Sequence, residues 1–134
     1  MDSRAIRILC VEDDKDSCEM LTVLLSLAND DYAVTAVHDA AKAMELISAG
    51  PFDLYVLDMW LPDIDGLQLT RWIRETGSSK PIVFFTAVAK DADRENALNA
   101  GATAFLVKPN DLDQLTPTVE RLLGQSGMSA SQFK

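Results

Sequence analysis

The stretch Leu54–Gly66, LYVLDMWLPDIDG, decides the fold. Its apolar run, Leu54-Tyr55-Val56-Leu57, stops abruptly at the carboxylate of Asp58, and the chain then turns through Asp63 and Asp65-Gly66. A short apolar run bounded by turn signals reads as a buried strand. A carboxylate at its end falls on the C-terminal edge of a sheet, where open α/β sheets bind ligands. Asp58 is therefore the candidate chemical centre.

The same pattern recurs on both sides. Upstream, Ile6–Val11 (IRILCV) reads as a strand that runs straight into Glu12-Asp13-Asp14. A helix follows from about Asp16, capped by Asp16 or Ser17, with Leu21, Leu24, Leu25 and Ala28 on one face and Asn29-Asp30-Asp31 at its end. Tyr32–Val37 is a second strand. A second helix starts near Asp39, carries Ala40, Ala43, Met44 and Ile47 inward, and stops at Gly50-Pro51. Downstream, a third helix begins around Asp65 with Leu69, Trp72, Ile73 and Thr76 on its inner face and Gly77 closing it. Pro81–Phe85 is a strand ending on Thr86. A weak helix over Asp91–Ala100, with Ala97 and Leu98 as its apolar positions, ends at Gly101, and Ala104–Val107 is a strand ending on Lys108-Pro109. Asp111 caps the last helix with Gln114 placed for a capping box, Leu112, Leu115, Val119 and Leu122 facing inward, and Gly124 as its stop. Pro117 interrupts that helix and predicts a lost hydrogen bond and a kink.

Strictly alternating strands and helices with buried strands predict an α/β domain: a five-stranded parallel sheet, doubly wound, with helices on both faces. A length of 134 residues, 48% hydrophobic and 25% charged, suits one such domain. Its division is 1–124 for the domain and 125–134 for a short polar tail, too short for an output domain. The apolar runs are too short to cross a bilayer, and the N-terminus lacks a signal-peptide layout. Cys10 and Cys18 fit no metal or redox spacing and read as reduced thiols, which predicts a cytoplasmic protein. A net charge of −9 argues against nucleic acid as a partner.

In a parallel sheet the strand ends share one edge. Glu12, Asp13 and Asp14 follow the first strand, Asp58 the third, Thr86 the fourth and Lys108 the fifth. Carboxylates from two strands repel each other unless a hard cation with oxygen ligands compensates. A cation, an ammonium and a hydroxyl around one carboxylate suit phosphoryl transfer, where positioning and charge neutralisation carry most of the catalysis. The acidic loop after the first strand would repel a pre-formed phosphate, which disfavours a nucleotide or flavin site.

VEDD at 11–14, VLDMWLPDIDG at 56–66, FFTA at 84–87 and FLVKP at 105–109 together resemble the landmarks of the response-regulator receiver domain of two-component signalling, along about Ile6–Leu123. The resemblance implies the flavodoxin-like, CheY-like fold with strand order 2-1-3-4-5. It implies Asp58 as phosphoacceptor from a histidine kinase or histidine phosphotransfer protein, and Mg²⁺ (or Mn²⁺) held by Glu12, Asp13, Asp58 and the backbone carbonyl of Trp60. Asp13 would bind the ion directly and Glu12 largely through water. Lys108 and Thr86 would contact the phosphoryl group, Phe105 would be the aromatic switch, and the Lys108–Pro109 bond would be cis. The domain would catalyse only its own phosphorylation and dephosphorylation. It would meet a downstream protein through the face of the fourth helix, fifth strand and last helix, as a monomer or a weak phosphorylation-dependent dimer, without nucleic acid or membrane.

Simpler roles stand beside these. Asp14 reads as a helix-start residue, Asp63 and Asp65 as turn and cap residues, His38 as a strand-end surface histidine and Trp60 as an exposed aromatic that could shield the phosphoryl group. Phe105 lacks the hydroxyl of the commoner tyrosine. A pseudo-receiver is disfavoured because no key side chain is missing. A small-molecule phosphohydrolase would want an acid two residues after Asp58, where Trp60 stands.

Overall fold

All five strands form, and all pair in parallel. In a computed structural model that describes residues 5–87 and 89–127, the elements run β1 (Ile6–Val11), α1 (Lys15–Ala28), β2 (Tyr32–Val37), α2 (Ala40–Ala49), β3 (Leu54–Leu57), α3 (Gly66–Glu75), β4 (Ile82–Thr86), α4 (Asp91–Ala100), β5 (Ala104–Val107) and α5 (Leu112–Gly127). The strand order is β2-β1-β3-β4-β5, with β1 and β3 central and the order reversing direction between them.

Side chains alternate across each strand, and here both faces are apolar. Leu9 and Val11 of β1, Tyr55 and Leu57 of β3, Ile82 and Phe84 of β4 and Phe105 of β5 join one core with α2, α3 and α4. Ile8 and Cys10, Leu54 and Val56, Val83 and Phe85, and Leu106 join the other with α1 and α5. Burying a Leu, Val, Ile or Phe stabilises by about 1.5–3 kcal/mol, so a sheet apolar on both sides requires helices on both sides.

Several local details differ from the sequence reading. Helix α1 begins one residue earlier than expected because Asp14 is its cap: its carboxylate accepts from the Ser17 amide at 2.9 Å. Asp16 and Ser17 are already helical. Cys18, Leu21 and Leu25 form the buried face, and Leu24 is only half-buried. Thr76 is the exposed C-cap of α3, and the buried threonine is Thr70, whose hydroxyl donates to the Gly66 carbonyl at 2.8 Å. Strand β4 starts at Ile82 because Pro81 has no N–H, although the Pro81 carbonyl still accepts from Tyr55 at 3.0 Å. In α4, Ala97 is buried but Leu98 is exposed.

The capping box expected at Asp111 does not form. Its carboxylate turns back to the Val107 amide at 2.9 Å, and Gln114 donates to the Asp111 backbone carbonyl instead. Helix α5 runs through both Pro117 and Gly124 to Gly127, with Leu115, Val119 and Leu122 buried. The proline removes one donor, and the carbonyl it leaves belongs to Asp113, an exposed residue. Burial of Leu115 and Val119 on either side of the proline holds the helix together. The expected tail begins inside this helix, and residues 128–134 lie outside the described ones. No helix among the described residues is long and apolar enough to cross a membrane. Cys10 and Cys18 are both free and buried, and desolvation raises the pKa of each thiol.

Candidate functional site

The sheet itself delivers the acids. The Asp58 amide donates to the Val11 carbonyl and the Glu12 amide to the Val37 carbonyl, each at 3.0 Å, so the ladder continues one residue past β3 and β1. Both side chains are buried. Ligand oxygens of Glu12, Asp13 and Asp58 lie within 4.8 Å of one another, with Asp13 exposed.

Two groups from the neighbouring strands face this cluster. Thr86, fully buried at the end of β4, donates its hydroxyl to Asp58 Oδ1 at 2.7 Å. Lys108, just past β5, places Nζ in a close ion pair with Glu12 Oε1 and 3.9 Å from Asp58 Oδ2. The Lys108 amide donates to the Thr86 carbonyl at 2.8 Å, and the Lys108–Pro109 bond is cis, as expected. Desolvation raises the Glu12 pKa and Asp58 repulsion adds to it, while Lys108 and the Asp14 amide at 3.0 Å pull it down.

Three carboxylates against one ammonium leave an excess of negative charge. All donors are hard oxygens, which suits a divalent cation of the Mg²⁺ class. Glu12 holds the close ion pair with Lys108, which leaves Asp13 and Asp58 as the acids best placed to face such an ion.

Glu12, Asp13, Asp58, Thr86 and Lys108 thus converge. Trp60 is half exposed, and its amide lies 3.4 Å from Asp58 Oδ1. Phe105 stands apart from the acids: its ring is buried and stacked on Phe84, centroids 5.9 Å apart. His38 is exposed, with Nδ1 3.1 Å from the Glu12 carbonyl.

Three supporting residues had no clear signal in the sequence. Asp63 is more than a turn residue. Its carboxylate accepts from the Ala40 and Ala41 amides at the start of α2, at 3.0 and 2.8 Å, and from Ile64. Desolvation pushes its pKa up, but these amides outweigh that and hold it below the ordinary carboxylate value. Gly66 lets α3 approach β3, since a Cβ there would lie 2.5 Å from the Asp58 carbonyl oxygen. Arg94 of α4 lies over the Phe105 ring.

A doubly wound α/β domain with a cation-suited acidic pocket at its strand ends is the class defined by this geometry. The model of the response regulator receiver domain matches residues 8–120, and the chain belongs to that family, the receiver domains of two-component response regulators. A transcriptional regulatory protein, DltR of Streptococcus agalactiae, is 35% identical over 123 residues, covering 92% of this chain and 54% of the relative. The chain therefore spans about half the length of the curated relatives it matches. A two-component response regulator from Clostridium difficile superposes with a TM-score of 0.83 at 30% identity, covering 90% of this chain and 98% of the other. The BeF3-activated N-terminal receiver domain of Klebsiella pneumoniae RstA does so with a TM-score of 0.79 at 28% identity, covering 87% and 97%.

Proposed function

We propose that this domain is a phosphorylation switch whose acceptor is Asp58. The observation that carries the reading is the setting of that carboxylate: buried, accepting the Thr86 hydroxyl at 2.7 Å, 3.9 Å from the Lys108 ammonium, and beside two further acids. A histidine kinase or a histidine phosphotransfer protein is the donor. A carboxylate oxygen of Asp58 attacks phosphorus, the P–O bond forms as the P–N bond breaks, and the imidazole leaves with the electron pair.

Lys108 neutralises a phosphoryl oxygen and Thr86 donates its hydroxyl to another. Asp13, Asp58 and the Trp60 carbonyl would hold Mg²⁺ or Mn²⁺, and Glu12 would add its charge nearby. When bound, the ion offsets charge on the phosphoryl oxygens and on the acids around them. The similar RstA domain, activated by BeF3, supports this reading, because BeF3 resembles a phosphoryl group on a carboxylate.

Phosphorylation then selects between two arrangements of Thr86 and Phe105. Thr86 turned to Asp58 with Phe105 buried is one of them. The partner surface formed by α4, β5 and α5 changes between the two. The domain acts on no separate substrate: its chemistry is its own phosphorylation and autodephosphorylation. The receiver unit reaches at least Gly127, the last residue of α5.

Incubation with acetyl phosphate and Mg²⁺, followed by intact-mass measurement, tests this. One phosphate adduct in the parent and none in Asp58→Asn is expected. A parent that stays unmodified at saturating donor, or an adduct that survives Asp58→Asn, would sink the assignment.

A further inference from the structure

The Phe105 ring carries no hydroxyl, so no side-chain hydrogen bond can fix it inward. Its stacking on Phe84, at 5.9 Å and 25° between planes, is one restraint. The solvent side of the ring is covered by a charged residue from another element. Arg94 places its guanidinium carbon 5.5 Å from the Phe105 ring centroid, and its Nη2 donates to the Phe105 carbonyl at 3.3 Å. Arg94 itself lies on the exposed side of α4.

We infer that Arg94 is the positioning residue that holds the switch ring inward, in place of the missing hydroxyl. The two contacts divide the work. The hydrogen bond to the backbone carbonyl anchors the guanidinium wherever the ring points, because the carbonyl does not move with χ1. The contact with the ring face exists only when the ring is in. It therefore discriminates between the two ring positions, and only differential contacts shift such an equilibrium. Arginine suits the task because its planar cation can lie over an aromatic face while its N–H groups donate sideways. A cation over a ring at an exposed site is worth a change of about two- to fivefold in the in-to-out ratio.

This inference rests on Phe105 being the switch, but its test needs no phosphate donor. It therefore fails or holds independently of whether Asp58 accepts phosphate. The protein is labelled with fluorophenylalanine, and Phe105→Leu assigns the Phe105 fluorine signal among the five phenylalanines. Solvent-isotope shifts of that signal give the exposed fraction. Arg94→Ala and Arg94→Met are both expected to raise the out-to-in ratio about two- to fivefold, with a still cooperative urea transition whose midpoint falls only slightly. A parent-like ratio in Arg94→Ala, or no exposed fraction in either variant, overturns the inference. So does a parent-like ratio in Arg94→Met, because aliphatic packing would then do what is assigned to the charge.

Discussion

Replacing Gly66 by alanine measures how closely the start of α3 is pressed against the end of β3. Gly66 is the first residue of α3, and its amide donates to the Met59 carbonyl at 2.7 Å. An added Cβ would stand 2.5 Å from the Asp58 carbonyl oxygen, 2.8 Å from Phe84 Cε2 and 3.0 Å from Met59 Cα. Two of these atoms are backbone and cannot rotate away. Among the described residues, positive φ belongs only to Gly77 and Gly101. Alanine at 66 therefore meets a steric obstacle and no torsional one.

Overpacking costs about 1–3 kcal/mol, and rigid neighbours place this site near the top, at about 2–3 kcal/mol. For a chain of 134 residues, each kcal/mol moves Tm by about 3–4 °C. Gly66→Ala should therefore melt roughly 6–12 °C lower by circular dichroism. Because the clash pushes on the Asp58 peptide itself, the acetyl phosphate adduct should also form more slowly. Gly124→Ala is the control. That glycine lies inside α5 with nothing within 4 Å of its Cβ position, so alanine should stabilise by about 0.5–1 kcal/mol through lower chain entropy. A Gly66→Ala protein that melts within about 2 °C of the parent would refute the packing argument.

Asp63→Ala should cost about 1 kcal/mol at neutral pH through the lost hydrogen bonds to the first two amides of α2, read by urea unfolding. The folded-state pKa of Asp63 is depressed, so its stabilisation is present above the unfolded value of 3.8 and fades as pH falls through the lower folded value; parent and variant curves should converge in acid. Arg74→Met removes donors to the Gly101, Ser78 and Lys80 carbonyls. It should lower stability by about 1–3 kcal/mol and speed amide exchange at the C-terminal end of α4. A cost near zero would mean water replaces those bonds freely. Mg²⁺ at ten times its dissociation constant should raise stability by about 1.4 kcal/mol, and Asp13→Asn should abolish most of that gain. An equal gain in the variant would move the ion elsewhere.

The alternation of short apolar runs with amphipathic segments made the sheet and its order of elements legible, because the inner strands are buried on both faces and the helices on one. The acids, Thr86 and Lys108 were legible for a related reason. A parallel sheet forces successive strand ends to one edge, so position along the chain translates directly into position in space. What escaped was contact between distant side chains and backbone. Asp63 turns to the amides of α2, 22 and 23 positions upstream, which no local turn rule contains. Asp111 turns back to Val107 instead of forward, because a strand-end amide competed for its carboxylate. Gly124 resembled a helix stop, yet Leu122 is buried and α5 runs on to Gly127. Arg94 and Phe105 meet only because α4 packs beside β5.

Strand β5 also works as a ruler. Phe105 points into one core, Leu106 into the other, and Lys108 emerges just past the strand to reach the acids. The parity of that short count determines which side each residue serves. Loss of a single residue at 106 or 107 would not merely shorten the strand. It would put Pro109 where the Lys108 ammonium now stands, or turn the Phe105 ring toward α5. Length variation among descendants of this sequence should therefore accumulate in the turns before β2, β3 and β4, on the sheet edge opposite the acids, while the four-residue interval from Phe105 to Lys108 resists insertion and deletion even where its residue types drift.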